Sequence, residues 1–144
     1  MRRLVDVAVG EALPERVAHL DQERVLRYAG ASGDYNRLHW DPAFAARVSP
    51  TGAVIAHGML SLGLLSAAVT DWAGGPEHVR SLSASFRAPC PVEATLRLGG
   101  EVLEIDAEAA TATLAVWAAL ADGAAVIDRR RSRAVVALDP GEGR

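Results

Sequence analysis

HGMLSLGLLSAAVTDWA, residues 57 to 73, is apolar nearly all the way round when wound as a helix. A helix without a polar face has to be enclosed by the rest of the fold. The remainder of the chain is strand-like: after Gly74-Gly75-Pro76, four candidates run over Ser81–Ala88, Val92–Ile105, Ala109–Ala121 and Ala124–Leu138. Turn signals at Pro89–Pro91, Asp106–Glu108 and Asp122-Gly123 separate them. Helices first and a meander of strands afterwards point to α+β, with an antiparallel sheet wrapped around the long central helix.

Upstream of that helix the punctuation is clear. Leu4–Val9 and Glu15–Leu20 are short strand candidates around a Gly10–Pro14 turn. Asp21 is placed to cap a helix running to about Ala31, with Val25, Leu26 and Ala29 on its apolar stripe. Ser32-Gly33-Asp34 breaks it. Asp41-Pro42 then opens a short helix to Val48, with Asp as the cap and Pro at the first helical position. No repeat or long linker divides the chain, so residues 1–144 read as one domain.

Composition removes whole classes of function. The net charge is −3, which gives no electrostatic reason to expect nucleic acid or an anionic membrane as partner. No apolar stretch reaches the roughly eighteen residues of a membrane span without a polar interruption. The start, MRRLVDVAVGEALPERV, turns acidic too soon for a signal peptide. A lone cysteine, Cys90, excludes an internal disulfide and suits a reducing cytoplasm. All 15 basic residues are arginine, which excludes a P-loop lysine, a Schiff-base lysine and a Ser–Lys dyad.

Motif chemistry narrows the field further. Gly58-Met-Leu-Ser61 puts the glycine one place too far from Ser61 for a nucleophile elbow. Asp34-Tyr-Asn36 starts like a calcium loop, but its sixth position is His39 and its twelfth Ala45. His39, His57, Asp34 and Asp41 match no zinc spacing, so no metal is expected, and no cofactor motif is present. Cys90 stands between prolines with no histidine near it in sequence, which argues against a nucleophile. Trp72, Met59 and the helix leucines read as core, Asp41 as a cap, and the Asp128–Arg133 run as a solvated strand.

There survives a dense polar loop, Ser32-Gly-Asp34-Tyr-Asn36-Arg37-Leu-His39-Trp-Asp41, with Ala56-His57-Gly58-Met59 downstream at the start of the buried helix. Taken singly, Asp34 and His39 would be turn chemistry and a structural histidine. Together, with Tyr28-Ala-Gly-Ala before them, they resemble the hydratase motif of the MaoC-like dehydratases. That hot-dog-fold family includes (R)-specific enoyl-CoA hydratases. The run from Ile55 to Trp72 is also similar to the catalytic subunit of the mycobacterial (3R)-hydroxyacyl-carrier-protein dehydratase. The specific match spans Tyr28 to Trp72. Two departures stand out: Arg37 replaces a usual proline, which loosens the loop or brings a charge near the pocket mouth. In addition, Pro91-Val92 runs into Glu93-Ala94 without the usual Gly-Asp turn, which unsettles the hairpin geometry.

The resemblance implies a single hot-dog domain that interconverts (R)-3-hydroxyacyl and trans-2-enoyl thioesters, carried on CoA or a carrier protein. It assigns Asp34 and His39 as the acid–base pair and leaves open which of them takes the α-proton. A helix start offers unpaired N–H groups and a positive dipole end, so the Gly58 N–H is the candidate donor to the thioester oxygen. Close helix–sheet packing explains that glycine equally well. Asn36 is expected to orient the pair or the loop backbone, and His57 to be structural. The expected assembly is a homodimer, with a heterodimer open. The rival activity is a hot-dog thioesterase, which would want a carboxylate on the central helix. Only Asp71, near its far end, is available.

Overall fold

The computed structural model describes residues 1–141. Its elements run β1 (Arg16–Leu20), α1 (Gln22–Ser32), α2 (Pro42–Val48), α3 (Gly58–Ala73), β2 (Val79–Ser83), β3 (Ala94–Asp106), β4 (Thr111–Leu120), β5 (Ala125–Ile127) and β6 (Arg133–Ala137). The strands form one antiparallel sheet in the order β1-β3-β4-β6-β2, with β5 added beside β4. α3 packs on β2, β3, β4 and β6, so the sheet curls around it. This is the hot-dog arrangement expected of the apolar stretch.

Local chemistry sets the helix ends. Asp21 accepts from the Arg24 N–H at 2.7 Å, and Asp41 from the Phe44 N–H at 2.9 Å. Gly33 and Gly74 close α1 and α3 at φ +74° and +82°, left-handed positions that a side chain resists. Leu65 and Val69 of α3 are fully buried against Leu96, Leu98, Leu114 and Val136 of the sheet. Burial of that size supplies the main drive to fold.

The structure corrects several expectations. Leu4–Val9 is no strand: Leu4–Asp6 is a single 3₁₀ turn, flanked by the isolated bridges Arg3 to Asp139 and Ala12 to Glu101 and held by Val7 in the core. The Ala124–Leu138 strand is two, because Asp128–Ser132 turns inward and buries Ser132, whose hydroxyl accepts from the Ser85 N–H at 3.0 Å. Leu26 and Met59 are half exposed rather than core.

The missing Gly-Asp turn also has a structural answer. Glu93 itself takes the left-handed conformation, at φ +67°. Its N–H donates to Leu20 at 2.8 Å, and its carboxylate accepts from the Gln22 N–H at 3.1 Å while Oε2 meets His19 Nε2 at 3.1 Å. These bonds offset the 1–2 kcal/mol or so that a non-glycine residue incurs there.

Candidate active site

α1 ends at Gly33, and the chain turns sharply so that Asp34 leaves the helix axis. The turn is stitched by short side chains. Ser32 Oγ accepts from the Asp34 N–H at 3.2 Å, Asp34 Oδ1 from the Asn36 N–H at 3.2 Å, and Asn36 Oδ1 from the Leu38 N–H at 3.0 Å. Asn36 therefore orients the loop backbone, one of the two roles expected of it. It caps the 3₁₀ turn Arg37–His39, whose last residue delivers the imidazole. Arg37 does not loosen this loop. Its guanidinium reaches Asp41 at 2.6 and 3.0 Å and lies 4.8 Å over the Phe44 ring, bracing the loop against α2.

His39 is buried and anchored. Its Nδ1 lies 2.7 Å from the Ile55 carbonyl, which can only accept, so in the neutral ring Nδ1 carries the hydrogen. The lone pair is then on Nε2, 3.9 Å from Asp34 Oδ2. That separation is too long for a direct hydrogen bond and leaves room for one oxygen atom bonded to both.

His57, 3% exposed, belongs to the same cluster. Its Nε2 donates to the Asp34 carbonyl at 3.1 Å and lies 3.9 Å from Asp34 Oδ2. Its ring stacks on His39 with centroids 3.7 Å apart and meets Tyr28 at 4.9 Å. The sequence suggested a structural histidine; the structure makes it the residue that ties the loop to the start of α3. Nothing in local spacing reveals this, since the partner lies 23 residues away.

His57 is also the N-cap of α3, and its side chain makes no capping bond. The N–H groups of Gly58 and Met59, ahead of the Leu60 N–H that donates to the His57 carbonyl at 3.1 Å, are therefore open to a ligand. Gly58 also packs tightly, as its alternative reading required: an added Cβ would stand 3.2 Å from the Phe86 ring. A cavity of about 220 Å³ begins there, lined further by Ser61, Phe86, Arg87, Cys90 and Val126. Cys90 is desolvated by burial, which pushes its thiol up to about 11. Such a thiol is inert at neutral pH.

One donor atom each from Asp34, His39 and His57 falls within 4.8 Å of the others. The set is badly arranged for a cation. His57 Nε2 is committed to the Asp34 carbonyl, and the two imidazoles are stacked 25° from parallel. Their in-plane lone pairs cannot converge to zinc bonds of about 2.0–2.1 Å. Asp71, the carboxylate a thioesterase reading would call on, sits at the far end of α3, paired with Arg16. Among the described residues no helix is long and apolar enough to cross a membrane.

Comparison with known proteins gives the family. The family model described as "MaoC like domain" matches residues 7–119. A 3-hydroxybutyryl-CoA dehydratase of Methylorubrum extorquens is 34% identical over 119 residues, covering 82% of this chain and 73% of the relative. The 3-hydroxyacyl-thioester dehydratase Z of Mycobacterium tuberculosis is 41% identical over 71 residues, 45% of this chain and 46% of its own. Among solved structures, an (R)-hydratase from A. caviae involved in PHA biosynthesis superposes with a TM-score of 0.82 at 29% identity, covering 92% of this chain and 97% of that one. The chain therefore belongs to the MaoC-like domain family and is, with its dehydratase and hydratase relatives, a hydro-lyase of hot-dog fold.

Proposed function

We propose that the protein interconverts (R)-3-hydroxyacyl and trans-2-enoyl thioesters, with Asp34 and His39 as its acid–base pair. One observation carries the reading: the Ile55 carbonyl holds His39 with its basic Nε2 turned toward the Asp34 carboxylate, beside the open helix start at Gly58. In hydration, a water oxygen sits between Asp34 and His39. Nε2 accepts one of its protons as the oxygen bonds C3 of the enoyl group. Negative charge moves onto the thioester oxygen, where the Gly58 N–H and the positive end of α3 stabilise it. The proton then passes to C2 and the thioester carbonyl re-forms. Dehydration is the reverse.

The assembly proposed is a homodimer. Among the described residues the sheet ends at β1 and β2, each with one edge lacking a strand partner, and pairing would cover such an edge. Light scattering at micromolar concentration should give twice the chain mass; a fully active monomer would refute the dimer. For the activity, a panel of 2-enoyl-CoAs of increasing chain length should lose enoyl absorbance on adding the protein. Release of free thiol instead would mark a thioesterase and overturn the reading.

A further inference from the structure

Glu93 holds the left-handed backbone at φ +67°, which glycine adopts freely and glutamate does not. Glycine would make the same backbone bond to the Leu20 carbonyl, so the reason for a glutamate lies in its carboxylate. Oε1 accepts from the Gln22 N–H at 3.1 Å, and Oε2 faces His19 Nε2 at 3.1 Å. Gln22 is the first residue of α1, so its N–H has no partner within the helix. Its half-buried side chain crosses to the loop, where Nε2 donates to the His39 carbonyl at 3.0 Å. From this chain of bonds we infer that Gln22 and Glu93 are positioning residues for His39. Glu93 fixes the start of α1, and Gln22 carries that position to the His39 main chain. The inference rests on the proposed acid–base role of His39 and adds what sets its place.

Three features support it. First, His39 is gripped at three points, and Gln22 makes the one that reaches outside the site. Nδ1 is held by the Ile55 carbonyl at 2.7 Å, just ahead of α3, and the His39 N–H by the Asn36 carbonyl at 3.0 Å, within the loop itself. The bond from Gln22 ties the same residue to the corner where β1 passes into α1. Second, the tolerance is small. Asp34 Oδ2 and His39 Nε2 stand 3.9 Å apart, a gap for one oxygen bonded to both. A shift of about half an ångström weakens one of those two bonds, and a misplacement of about 1 Å can cost on the order of a hundredfold in rate.

Third, the two members of the pair are attached to opposite ends of one rigid element. Asp34 follows directly on Gly33, which closes α1, whereas His39 is tied to Gln22, which begins it. An 11-residue helix holds its ends about 16 Å apart with little give. α1 is thus a strut: the loop leaves its far end at Asp34 and is fastened back at its near end through His39. Without the Gln22 amide the loop has no bond to that near end, and the spacing of carboxylate and imidazole rests on the loop's own turns and on the contacts with Ile55 and His57. Glu93 acts one step further out, through exposed bonds, so its effect is the smaller one.

The test uses Gln22→Met, which keeps length and bulk but has no donor, and Glu93→Gly, which relieves the backbone but has no acceptor. Gln22→Met should lower kcat for hydration of 2-butenoyl-CoA roughly ten- to a hundredfold with KM within about twofold. Glu93→Gly should melt no lower than the wild type and yet lose about three- to tenfold in kcat, while Glu93→Gln, which keeps Oε1, recovers it. In a His39→Gln background Gln22→Met should cost nothing further, because it acts only through that imidazole. A readout independent of activity is nitrogen NMR of the ring, with the His39 signals identified among the 4 histidines by their loss in His39→Gln. They should move in Gln22→Met. Unmoved signals with wild-type kcat in folded Gln22→Met would overturn the inference, as would the same loss with and without the His39 ring. Should Gln22→Met not fold, Glu93→Gly decides: turnover equal to that of Glu93→Gln overturns the relay. Signals that move as expected in a protein that hydrates no 2-enoyl thioester would refute the acid–base reading and leave the positioning standing.

Discussion

His57 donates from Nε2 to the backbone carbonyl of Asp34 across 3.1 Å, so the residue that starts the central helix also fixes the loop bearing the proposed catalytic carboxylate. The bond is to main chain, and it sets where Asp34 stands rather than what it does.

Substitutions at His57 should therefore give a graded response. His57→Phe keeps a ring to stack on His39 but removes the donor, and should lower turnover roughly tenfold. His57→Gln places an amide N–H near the lost Nε2 and should recover most of that loss. Steady-state hydration of 2-butenoyl-CoA, with thermal melts to confirm folding, checks both. Greater damage in His57→Gln than in His57→Phe would mean that the ring, not the hydrogen bond, matters.

Gly58 is predicted to be sensitive for two separable reasons, space and its N–H. Gly58→Ala brings a Cβ to 3.2 Å from the Phe86 ring and pushes against whatever the N–H holds. Turnover should fall, approaching the hundred- to thousandfold typical of a lost oxyanion donor if the thioester oxygen is displaced. Adding Phe86→Leu relieves the packing conflict. If that double variant regains wild-type turnover, the glycine serves packing alone; if it stays slow while folded, the N–H role stands.

Cys90 should resist modification. With its thiol pushed up to about 11, about one molecule in a thousand is thiolate at pH 8, so labelling by a disulfide reagent should be slow until the protein unfolds. The direction of the shift also gives the sign for stability. Folded Cys90 keeps its proton above the ordinary 9.0 at which the unfolded chain loses it. The contribution is therefore complete below about pH 9 and is lost as pH rises toward about 11. Rapid labelling of the folded protein at pH 8 would contradict this.

Much of the scaffold was legible in the sequence because its signals are local. Asp21 and Asp41-Pro42 announce helix starts within one turn, and both aspartates make the bonds expected of caps. α3 announces itself by having no polar face, and Leu65→Ala within it should destabilise by about 2–5 kcal/mol in chemical denaturation. The errors arise where distant residues decide. Leu4–Val9 has a strand-like pattern, yet it folds as a 3₁₀ turn whose Leu4 N–H bonds the distant Asp139 carbonyl. Ser132 breaks a strand because Ser85, 47 residues away, donates to its hydroxyl. For the site, Asp34, Asn36 and His39 were visible as a spaced motif. The tie from His57 to Asp34, the Phe86 ring over Gly58 and the unpartnered Ser61 hydroxyl exist only after folding.

The most direct test of the central claim is a double-mutant cycle on Asp34 and His39, read as hydration of 2-butenoyl-CoA. Asp34→Asn keeps size and hydrogen bonding but removes the carboxylate; His39→Gln removes the basic Nε2. Each should cost roughly a hundred- to ten-thousandfold in turnover while the protein still folds. Because both groups act on one oxygen, the double variant should lose far less than the product of the single losses. Near wild-type turnover in either folded single variant would contradict the account, as would fully multiplicative losses in the double.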